Sequence, residues 1–243
     1  MRIAVLSDIH ANQGALESVL RDVEKQAVDY MACLGDVVGY GPQPNECCDL
    51  VRQYADVTVV GNHDAAVAGR MDYTCYRLAA REALDLHRSM LTPENLEWLN
   101  TLPYSAELED LLFCHGAPPA LEAFDYLFTL KQVAPLVREH AAQAKVTFIG
   151  HSHLCKTFGF NANRAKEILR TRFELEPEEK YISSVGSVGQ PRDYDSRACW
   201  CLVDTETMCM EYRRVLYDVE STAKLIFKLP LAPAFGQRLM LGI

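Results

Sequence analysis

At 243 residues the chain has room for one sizeable domain or two small ones, and 49% hydrophobic residues are enough to fill a substantial core. The net charge of −9 argues against nonspecific wrapping of nucleic acid, which needs a basic face. No uncharged run is long enough to cross a bilayer, so no membrane association is expected. Nine cysteines, an odd number without CxxC spacing, read as reduced thiols filling core space and point to a cytoplasmic protein.

The chain opens on a strand-like run, "IAVLSD", which meets Asp8 too soon for a signal-peptide core. A helix follows, with Leu16, Val19, Leu20 and Val23 at helical spacing. "DYMACLGD" reads as a second strand, "QPNECCDLVRQYA" as a helix and "VTVVGN" as a third strand. Such alternation predicts an α/β fold with largely parallel strands. From Asp72 to Leu102 the chain turns helical, with Thr92 as N-cap and Pro93 at the first position of a second helix. This insertion, about residues 72–102, is expected to pack on the sheet more than to cap a site. "DLLFCHG" is a strand, and "LKQVAPLVREHAAQA" a helix that Pro135 bends or delays. After "KVTFIGHSH", consecutive short strands suggest antiparallel pairing, then a helix near Ser221–Lys228 and a Pro-rich tail. No repeat or linker interrupts the pattern, so a single domain over residues 1–243 is expected.

The ends of the strands carry the chemistry. The first gives Asp8 and His10, the second Asp36, the third Asn62, His63 and Asp64, the fourth His115, and the fifth His151 and His153. In α/β sheets, ligand sites gather beyond the carboxyl ends of the strands. Imidazole nitrogens and carboxylate oxygens suit Zn, Fe or Mn, and one carboxylate has the two oxygens needed to bridge a metal pair. His87 and His140, in helical segments away from any strand end, read as ordinary surface residues.

"D-x-H", "G-D", "G-N-H-D", a lone "H-G" and "G-H-x-H", in that order, resemble the calcineurin-like metallophosphoesterases, and "ISSVGSVGQPRD" resembles their small prokaryotic members. The resemblance implies a four-layer αββα sandwich of two mixed sheets flanked by helices. It implies one divalent metal on Asp8, His10, Asp36 and His153, and a second on Asp36, Asn62, His115 and His151, bridged by Asp36. The two metals would activate a shared water toward a small phosphoester. His63 would act as acid or transition-state stabiliser, oriented by Asp64. Phosphoprotein phosphatases of this superfamily carry "GDxxDRG" at the second motif, whereas here "GDVVGYG" puts Tyr40 at the arginine's place. That departure leaves few cations expected beside the metals, with Arg192 the one nominated for the rim, and favours phosphodiesters. The alternatives are a phosphomonoesterase or phosphoprotein phosphatase of the same fold, or a noncatalytic metal-binding scaffold.

Overall fold

The computed structural model describes residues 1–138 and 143–243, so His140 lies outside the described residues. The first half runs β1 (Arg2–Leu6), α1 (Gln13–Glu24), β2 (Tyr30–Cys33), α2 (Pro44–Tyr54), β3 (Val57–Thr58), α3 (Asn62–Ala68), α4 (Leu78–Met90), α5 (Pro93–Thr101), β4 (Ser105–Leu108) and β5 (Leu111–Cys114). The second half runs α6 (Leu130–Arg138), β6 (Val146–Ile149), β7 (Cys155–Phe160), β8 (Ala165–Ile168), β9 (Arg172–Glu174), β10 (Lys180–Val185), β11 (Ala198–Asp204), β12 (Cys209–Val215), α7 (Val219–Ile226) and α8 (Pro233–Leu241).

Two mixed six-stranded sheets form, in the orders β3-β2-β1-β11-β12-β9 and β4-β5-β6-β10-β7-β8. Period-two alternation along each strand explains how they stack. Ile3 and Val5 of β1, with Cys199, Cys201 and Val203 of β11, meet Phe113, Phe148 and Val185 of the second sheet in an apolar layer between the sheets. Their neighbours Ala4, Leu6, Trp200 and Leu202 face the other way, onto Leu16, Val19, Leu20 and Val23 of α1. On the far side of the second sheet, Val133 and Leu136 of α6 cover Ile149, Phe158 and Ile182. Helices therefore flank both sheets, as the resemblance implied.

Several details depart from the sequence reading. The third strand pairs only over Val57–Thr58, because the chain leaves the sheet edge to start α3. α6 begins at Leu130 and runs through Pro135 rather than starting after it. The late strands do not form one antiparallel series. β10 lies parallel to β6, and β11 crosses to the first sheet beside β1. The crossing is fixed where Val188 and Gly189 donate backbone N–H to Ser7 and Asp8 carbonyls (3.0 and 2.9 Å). The Pro-rich tail is helical. Pro233 sits in the first turn of α8, and Phe235 and Leu239 pack with Ile226 of α7 and Ala83 of α4.

His87, read as a surface residue, is buried in α4 at 0% exposure. Its Nδ1 accepts from the Gly39 N–H (2.9 Å), which leaves Nε2–H to donate to the Gly41 carbonyl (2.8 Å). The sequence periodicity placed it on a helix but could not show that the 39–41 loop closes over it. Burial pushes its pKa down to about 4, so it is neutral in the folded protein. His87→Ala is therefore expected to cost about 2–4 kcal/mol near pH 7.5, by leaving two buried backbone groups unpaired and a cavity. An unfolded histidine titrates near ~6.5, so the native advantage is complete above that pH and falls as pH drops toward 4, by about 1.4 kcal/mol per unit. The wild-type margin over the variant, measured by urea unfolding, should shrink from pH 7.5 to 5.5. A margin that stays constant or widens contradicts this role.

Candidate metal centre

The centre forms where the parallel strands end. Asp8 and His10 follow β1, Asp36 follows β2, Asn62 and His63 open α3 after β3, His115 follows β5, and His151 and His153 follow β6. The chain turns sharply at most of these points. Asp8, His10, Asp36, His151 and His153 all have positive φ, between 48° and 65°. Side chains other than glycine pay on the order of 1–2 kcal/mol for this region, although Asp and His enter it more readily than most. The turns redirect side chains out of the strand pleat and toward one point.

All seven expected ligand residues come together, each no more than 8% exposed. His153 Nε2 lies 3.2 Å from Asp8 Oδ1 and 3.1 Å from His10 Nε2. Asp36 Oδ2 lies 3.7 Å from His10 Nε2 and 3.4 Å from His115 Nε2. His115 Nε2 is also 3.2 Å from Asn62 Oδ1. The His151 donor lies within 4.8 Å of those of Asp36 and His115, so the His-x-His pair divides between two groups. Asp36 lies between them, its Oδ2 facing His10 Nε2 of one group and His115 Nε2 of the other.

The outer nitrogens explain why the inner ones converge. His10 Nδ1 reaches the Val38 carbonyl (3.0 Å), His115 Nδ1 that of Leu34 (2.7 Å) and His153 Nδ1 that of Gln190 (2.5 Å). A carbonyl only accepts, so Nδ1 carries the proton and Nε2 presents its other face to the centre. Burial holds His10 and His153 well below the usual imidazole pKa, so their Nε2 atoms carry lone pairs. Burial raises Asp8, while His115 opposes that shift. Asp8 Oδ1 is buried without a hydrogen-bond partner. Burial also opposes a charge on His115, but Asp36 overrides it and lifts its pKa to about 9. Lone pairs and carboxylate oxygens packed this closely repel one another unless a cation lies among them. The donor set of imidazole, carboxylate and one amide oxygen fits divalent metal ions.

His63 stands beside the centre, a ring nitrogen within 4.8 Å of donors from His10 and Asp36. Burial drives its pKa down to about 4. Asp64 does not orient it. Asp64 Oδ1 accepts from the Val38 N–H and Oδ2 from the Gly61 N–H (both 3.1 Å), while His63 Nδ1 has no hydrogen-bond partner. Consecutive residues in the first turn of α3 project in different directions, so Asp64 fastens the backbone instead. His63 is held by packing. A Cβ on Gly39, whose φ is +95°, would lie 2.2 Å from His63 Nδ1, so only glycine fits there. Likewise a Cβ on Gly61 would sit 2.1 Å from Asp36 Oδ1, which instead accepts the His63 backbone N–H (2.8 Å).

The centre opens into a cleft of about 660 Å³. Tyr76 and Tyr126, which the sequence did not flag, line it with Tyr40. Tyr76 accepts a bond from Asn62 Nδ2 (2.8 Å), which turns the Asn62 oxygen toward His115. Tyr126 stacks on His151, ring centres 3.8 Å apart. Tyr40 packs edge-on against His63 at 4.5 Å. Arg192 is at the cleft as nominated, 6.0 Å from the Tyr40 ring centre, and is joined there by Arg77 and Arg238. The expectation of few nearby cations is thus corrected. Arg77 and Arg238 come from the ends of helices far away in sequence, and no local motif marks them. The 72–102 insertion both packs on α3 and, through Cys75, Tyr76, Arg77 and Ala80, lines the cleft.

Among the described residues no helix is long and apolar enough to cross a membrane. The sequence pattern that defines the calcineurin-like phosphoesterases matches residues 1–173. An uncharacterized protein of Methanocaldococcus jannaschii is 35% identical over 245 residues, spanning 99% of this chain and 98% of that protein. The crystal structure of a metallophosphoesterase from Sphaerobacter thermophilus is similar over 100% of this chain and 99% of its own, with a TM-score of 0.83 and 31% identity. A protein from Pyrococcus horikoshii OT3 shares the fold at 18% identity and a TM-score of 0.79, over 100% and 98% of the two chains. With its donor set and fold in agreement, the chain belongs to the calcineurin-like phosphoesterases, a family of metal-using hydrolases that act on phosphoester bonds.

Proposed function

We propose that the chain is a cytoplasmic, dinuclear-metal phosphoesterase whose substrates are small phosphodiesters. The observation that carries this reading is the convergence of inward-facing ring nitrogens and carboxylate oxygens on Asp36, at the floor of a cleft that His63 also reaches. Asp8, His10, Asp36 and His153 would hold one divalent cation (Mn, Fe or Zn), and Asp36, Asn62, His115 and His151 the other. Asp36 suits the shared place because its Oδ2 faces a ring nitrogen of each group. When bound, such cations supply Lewis acidity toward phosphoryl oxygens and make water a nucleophile at neutral pH.

The chain's own groups orient the ester and manage its charge. His63 is neutral in its buried setting, and an anionic phosphoryl oxygen placed beside it raises its proton affinity. It would then donate a hydrogen bond to that oxygen or a proton to the departing alkoxide. Tyr40 and Tyr126 narrow the approach, and a cleft of about 660 Å³ has space for groups on both sides of a diester. A second reading, a phosphomonoesterase, is favoured by Arg192, since a monoester brings an additional negative charge to the metals.

The ratio of kcat/KM for bis-p-nitrophenyl phosphate to that for p-nitrophenyl phosphate, with the best metal, decides between the two. It is expected to exceed one, and a clear preference for the monoester overturns the diester reading. His63→Gln should keep metal content near wild type while kcat falls by roughly 10²-fold, with a smaller loss for good leaving groups. Equal losses for good and poor leaving groups remove the acid role. Asp36→Asn should lose most bound metal, read by elemental analysis, while keeping the wild-type circular dichroism spectrum. Two tightly held metals in that variant refute the bridge.

A further inference from the structure

The arginines of the cleft exceed what the scissile group of a diester requires. Arg77, Arg192 and Arg238 line one cavity with Asp36, His63, His151 and His153. Several arginines elsewhere in the chain are paired with carboxylates, as Arg52, Arg197, Arg213 and Arg214 are. Among the described residues none of the three cleft arginines is in an ion pair within 4.0 Å. Arg192 meets the Gln190 amide oxygen (3.3 Å), the face of Tyr40 and the hydroxyls of Tyr40 and Tyr126, none of which carries a full negative charge, and its Nε is buried with no partner. Arg238 feels the other two, since after burial itself both Arg192 and Arg77 disfavour its charge. Like charges gathered in one partly enclosed space destabilise the fold unless an anion completes them.

A phosphodiester brings one negative charge to the metals, which two divalent cations and Arg192 more than answer. Arg192 is the arginine nearest in effect to the centre, opposing protonation of His10, His63, His151 and His153. Arg77, just before α4, and Arg238, in the last turn of α8, approach from the outer wall. Resting on the diester reading above, we propose that Arg77 and Arg238 form a second anion subsite, so that the preferred substrate is a phosphodiester carrying a further phosphate on one of its ester groups. Arginine forks suit phosphate oxygens, and Arg77, exposed at the cleft mouth, can turn onto the ligand.

The test uses a matched pair of esters, thymidine 5′-(p-nitrophenyl phosphate) with and without a 3′-phosphate. With metal-loaded wild type, the 3′-phosphate should raise kcat/KM about tenfold or more, and the gain should shrink as ionic strength rises. In Arg77→Ala/Arg238→Ala the ratio between the two esters should approach one. A ratio near one in wild type, or a tenfold gain that survives in the double variant, overturns the subsite. Binding to metal-free protein separates this outcome from a failure of the catalytic reading. Thymidine 3′,5′-bisphosphate should bind at least about tenfold more tightly than thymidine 5′-monophosphate by calorimetry, and the difference should vanish in the double variant. Equal binding of the two nucleotides to wild type overturns the subsite whatever the activity.

Discussion

Repulsion among buried electron-rich groups is the constraint on which this structure depends. His10 Nε2 lies 3.1–3.8 Å from His153 Nε2, Asp8 Oδ1 and Asp36 Oδ2, and His153 Nε2 lies 3.2 Å from Asp8 Oδ1, all of them buried. No local sequence preference would produce that cluster. It persists because five backbone turns at positive φ aim the donors inward, each at a cost on the order of 1–2 kcal/mol. The two apolar layers on either side of the first sheet hold the strand ends in place against that strain. The carbonyls of Leu34, Val38 and Gln190 then set which nitrogen of each ring faces inward. Fold, tautomer and strain all serve one purpose, the preorganisation of a cation site.

The same cleft carries opposite fields at its two ends. Its floor is acidic, while Arg192 stands above the floor and Arg77 and Arg238 hold the outer wall. A uniformly positive cleft would attract anions without placing them, and it would repel the cations the floor must recruit. Separating the signs allows metals to settle at the floor and the substrate's negative groups to span from there to the wall. The chain's net charge of −9 makes this local arrangement matter more, because the protein as a whole does not attract anions.

The legible part of the site was that carried by short-range pattern. Apolar runs ending in Asp, His or Asn located the strands and the residues that converge at their ends, and the alternation of segments implied an α/β fold; the two helix-flanked sheets were implied only by the family resemblance. What could not be read depends on long-range closure. Tyr76 meets Asn62, and Arg238 joins Arg77, only after α4, α7 and α8 fold around the cleft. The β10-to-β11 crossing was hidden for the same reason, since both strands have the β-rich composition of an antiparallel series. His87 illustrates the limit most plainly. Its neighbours in sequence describe an amphipathic helix, and its burial comes from a loop some 46 positions earlier.

Asp64 shows how a misplaced role can still lead to the correct physical unit. Its carboxylate fastens Val38 and Gly61, the two loops that flank Asp36 and His63. His87 fastens the same loop from the other side, at Gly39 and Gly41. Gly39 therefore lies between two anchors and against the His63 ring, where no side chain fits. A histidine fixed by its own hydrogen bond would have one nitrogen committed and its proton affinity set by that partner. Fixing the ring by packing leaves its proton affinity to be set by whatever anion enters the cleft. His63 is thus positioned by a frame that makes no hydrogen bond to its Nδ1, and the helical insertion belongs to that frame because it supplies His87.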